Sequence, residues 1–184
     1  MIYRPELLDI LQAALKRSWS AEVYRHMFGS YAPTRTNVGG ARWNPPGLEA
    51  IYASLESETA LAEAEYYIQL QPARPRGART LYTLQVIVDS VIDLTAPDTL
   101  AAAGISNDIL RANEFSPTQH IGAAVRWLGY DALLVPSVRR KAGTNLVILE
   151  PDPARLTIEF TRAQTVRNRG NAKRRPRFNF ELQH

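Results

Sequence analysis

The stretch GGARWNPPGLEAIYASLESETALAEAEYY, residues 39–67, carries three local structures in succession. Residues 39–47 hold three glycines, two prolines and an asparagine around a single arginine, the composition of a loop with a stiff Pro45-Pro46-Gly47 exit. Residues 48–54 are an apolar run of strand length. Beyond it Ala60, Leu61, Ala64, Tyr67 and Ile68 recur at helical spacing. They predict a helix to about residue 70, with Ser57 as N-cap and Glu58 in the first turn, where an acid favours the helix dipole.

The same reading extends outward. PELLDILQAALKR has a helical stripe of Leu7, Leu8, Leu11 and Leu15, ended by Ser18-Trp19-Ser20. Residues 22–28 read as a short strand and 29–47 as a long loop, a kind of segment that often carries function in a compact domain. Pro72, Pro75 and Gly77 make a turn. A long strand follows over 80–94, with a bulge or bend at Asp89-Ser90, then one or two short helices over 98–115. Ser116-Pro117 opens a helix, Ser as N-cap and Pro at the first position, and Gly129 closes it. Strands over 132–138 and 145–150 flank the basic loop VRRKAG, and a last strand covers 155–160. Strands outnumber helices without alternating with them, which predicts an α+β domain with a mixed or mainly antiparallel sheet flanked by helices.

Composition narrows the class. The chain has 184 residues, 45% apolar and 22% charged, enough for one well-buried domain and short for two. The opening MIYRPELLDILQ has acids among its apolar positions and does not read as a signal peptide, and no run has the length of a membrane span. Zero cysteines exclude disulfides and thiolate chemistry and fit a cytoplasmic location. Three histidines and no cysteine argue against a structural zinc site. From residue 161 on there are seven basic residues against one acid, net +6, leaving fifteen basic against seventeen acidic residues, −2, for the rest. The chain therefore divides into a domain over 1–160 and a basic C-terminal segment over 161–184 that packs on the domain or extends it.

Several side chains can carry chemistry. Arg42, in its glycine-flanked loop, can pair in bidentate fashion with a phosphate, or it is a solvated loop arginine. The paired glycines Gly39 and Gly40 would let the backbone approach a ligand. Tyr52 is either a core tyrosine or an aromatic platform and hydroxyl donor at a nucleotide pocket. Glu63 and Glu65 flank the buried stripe of their helix on opposite sides, and helical period does not choose between them. Arg25, inside a strand, needs an acceptor when buried, either a carboxylate or a ligand phosphate. Ser137 ends a strand without any nucleophile-activating pattern around it.

Taken together, Tyr24-Arg25, GGARWNPPG around Arg42, IYAS around Tyr52, ETALAE ending at Glu63, GYDALLVPS ending at Ser137 and NLVILEP starting at Asn145 resemble, in order, the motifs of the RES-domain family, named for its Arg, Glu and Ser. The resemblance implies an ADP-ribosyltransferase-like fold, a strongly bent, split sheet with an NAD cleft. It implies a toxin of a toxin–antitoxin pair that cleaves its substrate NAD+ at the nicotinamide–ribose bond, as a glycohydrolase or a phosphorylase, with no bound cofactor, and a helix-turn-helix antitoxin that blocks the cleft. The alternative is transfer of ADP-ribose to a protein acceptor. The implied catalytic residues are Glu63 at the ribose, Arg42 on a phosphate or nicotinamide-side group and Tyr52 at the nicotinamide end. Arg25, Tyr24, Ser137 and Asn145 would bind substrate. The family's aromatic-Asp-Arg-Leu ending is replaced here by FNFELQH. From a different class, a nucleic-acid-binding module could use RNRGNAKRRPRF for phosphates, with Phe178 and Phe180 stacking on bases, although such a tail is more often solvated or docks an acidic partner.

Overall fold

A computed structural model describes residues 3–14, 16–73 and 77–166. In chain order the elements are α1 (Pro5–Ala13), β1 (Arg17–Phe28), β2 (Ala50–Ser54), α2 (Ser57–Gln69), β3 (Arg79–Asp93), α3 (Pro97–Ala102), α4 (Asn107–Arg111), α5 (Ser116–Trp127), β4 (Ala132–Pro136), β5 (Thr144–Leu149) and β6 (Leu156–Thr165). This is a mixed α+β fold. The strand order is β1-β2-β5-β4-β3-β6, and β1 also pairs with β3, so five strands close on themselves as a barrel and β6 lies outside the ring. All pairs are antiparallel except β3 with β4.

Two apolar clusters explain why β4 and β5 read as unbroken hydrophobic runs. Ile51, Ala53, Leu134, Leu146 and Ile148 point into the barrel with Val23, Leu84 and Val88. The alternate residues, among them Leu133, Val135, Val147 and Leu149, pack outward against Leu7, Leu11, Leu100, Ile121 and Val125 of the helices. A strand buried on both faces needs no polar alternation. Each fully buried Leu or Ile contributes about 1.5–3 kcal/mol, so these central strands anchor the fold.

Two irregularities shape the ring. The register of β3 against β1 shifts between Val88 and Val91, which places a bulge at Asp89-Ser90, as the sequence suggested. At that bulge β3 changes partners: its edge belongs to β6 over Thr80–Val88 and to β4 over Val91–Asp93. Ser90 Oγ donates to Asp131 Oδ2 at 2.6 Å, and Arg155 bridges to the same oxygen at 2.8 Å, stitching the switch point. The second irregularity is a gap. β1 and β2 pair only at Tyr24 and Ser54. Beyond that pair β1 diverges, and the loop residue Asn37 takes the edge of β2 instead, at Ala50.

Several local expectations need correction. Ser18-Trp19-Ser20 do not terminate a helix; they are part of β1, because β3 continues to pair as far as Arg17. Glu56, not Ser57, occupies the N-cap position of α2, its carboxylate taken by Thr59 Oγ1 and the Thr144 amide. Phe115, not Ser116, precedes the first turn of α5, with Glu114 accepting from the Ser116 amide. The last strand runs through residue 165, across the division placed at 160; residues 167–184, with the rest of the basic segment, lie outside the described residues. Among the described residues no helix is long and apolar enough to cross a membrane.

Candidate active site

The gap between β1 and β2 opens into a cavity of about 670 Å³, within the range of roughly 300–1,000 Å³ that buries an organic ligand. Helix α2 packs against both β1 and β2 and roofs it. Tyr24, Arg25, Arg42, Tyr52, Glu63 and Asn145 all line it. Ser137 stands behind the wall formed by its neighbours Pro136 and Val138.

Glu63 is aimed by two neutral donors. Its Oε1 accepts from Ser137 Oγ at 2.7 Å and from Asn145 Nδ2 at 2.9 Å. The amide of Asn145 is itself oriented, since its Oδ1 accepts from Ser54 Oγ at 2.7 Å. Ser137 Oγ accepts from the backbone amides of Arg139 and Arg140, so its one proton goes to Glu63. Among the described residues nothing donates to Oε2 of Glu63, which leaves that oxygen for a ligand. The structure thus separates the two acids that period could not: Glu65 pairs with Arg79 at 3.4 Å and Glu63 faces the cavity.

Arg42 is not a solvated loop residue. It is 6% exposed, donates from Nη1 to the carbonyls of Leu110 at 2.5 Å and Ala112 at 3.0 Å, and lies over the Phe115 ring at 4.5 Å. No carboxylate pairs with it among the described residues. Burial, and then the nearby Arg139 cation, push its pKa below the usual arginine range. The loop that carries it is clamped on all sides. The Ala41 amide donates to the Asn44 carbonyl, closing a turn with Arg42 and Trp43 at its tip. Thr118 Oγ1 donates to the Arg42 carbonyl and Gln119 Nε2 to that of Ala41. The fully buried Asn44 donates to the Leu48 and Asn37 carbonyls. Gly40, at φ +88°, lines the cavity, and a Cβ there would meet Pro46 at 3.0 Å.

Tyr52 holds the same loop. Its hydroxyl donates to Asn44 Oδ1 at 2.8 Å and accepts from the Trp43 amide at 3.0 Å, so the ring, not the hydroxyl, is what remains for the cavity. Burial pushes its phenol pKa strongly upward. Arg25 finds neither a carboxylate nor a free orientation: Nη1 donates to the Pro33 carbonyl at 2.5 Å and Nη2 to that of Arg35 at 2.6 Å. Burial lowers its pKa to about 10, which leaves it charged at neutral pH. Tyr24 presents its ring to the cavity and spends its hydroxyl on Glu22 Oε1 at 2.6 Å.

Some residues escaped the sequence reading. Tyr67 was expected in the buried stripe of α2; it is 45% exposed and lines the cavity, its phenol pushed upward by burial and then by Glu63. Its place four residues after Glu63 was the available signal. Phe115 and Thr118 act on Arg42 from far along the chain and left no local signature, while Asn44 works within its own loop, on Asn37, Leu48 and Tyr52. The arrangement offers one aimed carboxylate oxygen, the cations of Arg25 and Arg42 held on backbone carbonyls, a third cation in Arg35 over the Tyr31 ring, and aromatic walls. It suits a ligand with anionic groups at one end and a centre that gains positive charge at the other.

The family model described as RES domain matches residues 13–169. The NAD(+) phosphorylase MbcT of Mycobacterium tuberculosis (strain ATCC 25618 / H37Rv) is 31% identical over 139 residues, covering 71% of this chain and 73% of that protein. MbcT of Mycobacterium bovis matches to the same extent. A chain in the crystal structure of the M. tuberculosis MbcT–MbcA toxin–antitoxin complex superposes with a TM-score of 0.75 at 25% identity, over 89% of this chain and 93% of that one.

Proposed function

The chain belongs to the RES domain family, and on that premise we propose that it is the toxin of a toxin–antitoxin pair, cleaving NAD+ at the nicotinamide–ribose bond and so depleting it. The observation that carries this reading is the aimed Glu63 carboxylate, with Oε2 unclaimed, in one cavity with three arginines, Arg25, Arg35 and Arg42, that no carboxylate pairs with among the described residues.

The chemistry follows from the charges. Nicotinamide leaves as a neutral molecule from a cationic bond, so cleavage needs no strong acid. It needs the ribose to tolerate positive charge in the transition state. Oε2 of Glu63, hydrogen-bonded to a ribose hydroxyl, stabilises that charge, while Arg42 and Arg25 hold the pyrophosphate. The rings of Tyr52, Tyr24 and Tyr67 flank the bases or the nicotinamide. Neutral donors from Ser137 and Asn145 orient Glu63 without cancelling its charge. The fold reading is ADP-ribosyltransferase-like, supported by a bent sheet that splays open at the single Tyr24–Ser54 pair. The partner would be a helix-turn-helix antitoxin whose surface covers the mouth of the cavity in the cytoplasm. The likeness to a toxin solved with its antitoxin supports that part of the proposal.

The test is incubation of the purified protein with NAD+, with and without phosphate, followed by mass analysis of the products. Nicotinamide release is expected, and Glu63→Gln or Arg42→Ala should each lower it by at least about 100-fold, the scale of removing one transition-state contact, with circular dichroism unchanged. Full turnover by a folded Glu63→Gln protein would refute the assigned chemistry.

A further inference from the structure

Three arginines line the cavity, and they differ in what they have left to give. Arg25 and Arg42 each spend terminal nitrogens on backbone carbonyls. The Arg35 guanidinium is exposed and lies over the Tyr31 ring at 4.0 Å, and among the described residues it donates to no carboxylate, carbonyl or hydroxyl. The backbone beneath it is fixed. The Arg35 amide donates to the Ala32 carbonyl at 3.1 Å, and the Arg35 carbonyl takes Arg25 Nη2 at 2.6 Å. Glu63 belongs to the closed end of the cavity, because Asn145, which aims it, pairs with Ser54, and Ser54 meets Tyr24 where β1 and β2 last touch. Arg35 belongs to the open end. Asn37, just beyond it, pairs with Ala50, at the other end of β2 from Ser54 and about 13 Å away at the usual strand rise. Glu63 is the single acid among the described residues that line the cavity. The open end therefore carries a free cation and no carboxylate.

We propose that the cavity also accepts the dinucleotide that carries a phosphate on the 2′-oxygen of its adenosine ribose, NADP+, and that Arg35 binds that phosphate. The proposal rests on the reading of the cavity as an NAD+-cleaving site. With the reacting ribose at Glu63 and the pyrophosphate on Arg25, the adenosine ribose is the next group along the ligand. Arg35, one hydrogen bond from Arg25, is the next cation along the wall. In dinucleotide sites a carboxylate on the adenosine ribose favours the free hydroxyl and repels a 2′-phosphate, whereas an arginine there accommodates it. A guanidinium forks onto a phosphate through two N–H groups, and one with no hydrogen bond to break has both to offer. Stacking on Tyr31 holds its plane and leaves its edge free. The 2′-phosphate takes no part in the bond changes. The carbon–nitrogen bond between ribose and pyridinium breaks, its electron pair goes to the ring nitrogen, and nicotinamide leaves neutral. An oxygen of water or of inorganic phosphate bonds to the anomeric carbon, and its proton passes to solvent.

The experiment measures nicotinamide release from NAD+ and from NADP+ by wild type, Arg35→Ala and Arg35→Lys. Wild type is expected to cleave both. Arg35→Ala should lower the ratio of kcat/KM for NADP+ to that for NAD+ by about 10-fold, the effect of one lost charge-assisted contact. The change should fall on the KM for NADP+ rather than on kcat, because the 2′-phosphate is remote from the reacting bond. Arg35→Lys should restore part of the ratio as a point charge. Added salt should lower the ratio for wild type and not for Arg35→Ala, since the contact is exposed and screened. A second readout needs no turnover. Adenosine 2′,5′-bisphosphate should raise the melting temperature of wild type more than adenosine 5′-monophosphate does, and the two should act alike on Arg35→Ala. Cleavage of NAD+ without cleavage of NADP+, or an unchanged ratio in Arg35→Ala, overturns the assignment and leaves the cleavage reading intact. Release from neither dinucleotide removes the cleavage reading and this inference with it.

Discussion

A carboxylate that must stabilise a developing cation has to keep its own charge while being held still. At Glu63 this is done with a serine hydroxyl and an asparagine amide, both on Oε1, where a lysine or arginine in contact would have offset the charge it was positioning. Removing one neutral donor should therefore loosen aim more than binding. Asn145→Ala is expected to lower kcat about 10-fold while the KM for NAD+ stays within about two-fold, in line with loss of an interaction that matters in the transition state. Steady-state nicotinamide release measures both; a higher KM with kcat unchanged would mean that Asn145 binds substrate directly. At this scale the sequence named Glu63 but also Glu65, two residues away on the same helix, because period alone leaves both at the edge of the stripe. What separates them is Arg79, which pairs with Glu65 from the start of β3, and a cross-element partner cannot be read from a single helix. Tyr52 teaches the same lesson: its position was legible, but not that its hydroxyl would be spent on Trp43 and Asn44.

Elements decide whether the arginine loop is a flexible segment or a rigid part of the site. The Arg42 turn rests on α5, and the contact closes at one position, Gly122, where a Cβ would fall on the carbonyl oxygen of Trp43. The obstacle is backbone, not the end of a flexible side chain, so α5 and the loop must move apart to admit a methyl group. Gly122→Ala is expected to cost about 1–3 kcal/mol of stability, as overpacking does, read as a lower denaturant midpoint with an unchanged slope. Because Arg42 is the next residue along, activity should fall by more than that loss of folded protein explains. A variant with wild-type midpoint and turnover would show that the loop is not seated on α5 as described. The helix was legible in sequence from Ser116-Pro117 to Gly129, and the long loop was legible from its prolines and glycines. Their mutual contact was not, since Trp43 and Gly122 are far apart in the chain and neither carries a local signature. The start of β1 was lost for a related reason: Ser18-Trp19-Ser20 look like a helix stop, and only pairing with β3 makes them strand.

For the whole molecule, closing the barrel forces β1 and β3 together along their length, and this buries a titratable pair at the rim of the cavity. His26 on β1 accepts at Nε2 from Arg79 Nε on β3, at 3.0 Å. An imidazole that accepts there is neutral, and adding a proton would remove the acceptor and set two cations side by side. Burial, and then Arg79, lower the pKa of His26 to about 4, with Glu65 opposing more weakly. The folded value lies below the ordinary 6.5, so between these two the unfolded chain binds more protons than the folded one. The stability this group contributes is therefore complete above pH 6.5 and is lost as pH falls toward 4. His26 is only partly buried, so solvent screening reduces the effect to on the order of 1–2 kcal/mol. His26→Gln offers Arg79 an oxygen in place of the ring nitrogen but has no proton to gain. Urea midpoints taken from pH 7 down to 4.5 should fall more steeply for wild type than for His26→Gln, the gap opening below 6.5. Parallel curves would mean that the imidazole already accepts its proton in the folded barrel, and the His26–Arg79 contact would then not constrain how β1 and β3 close.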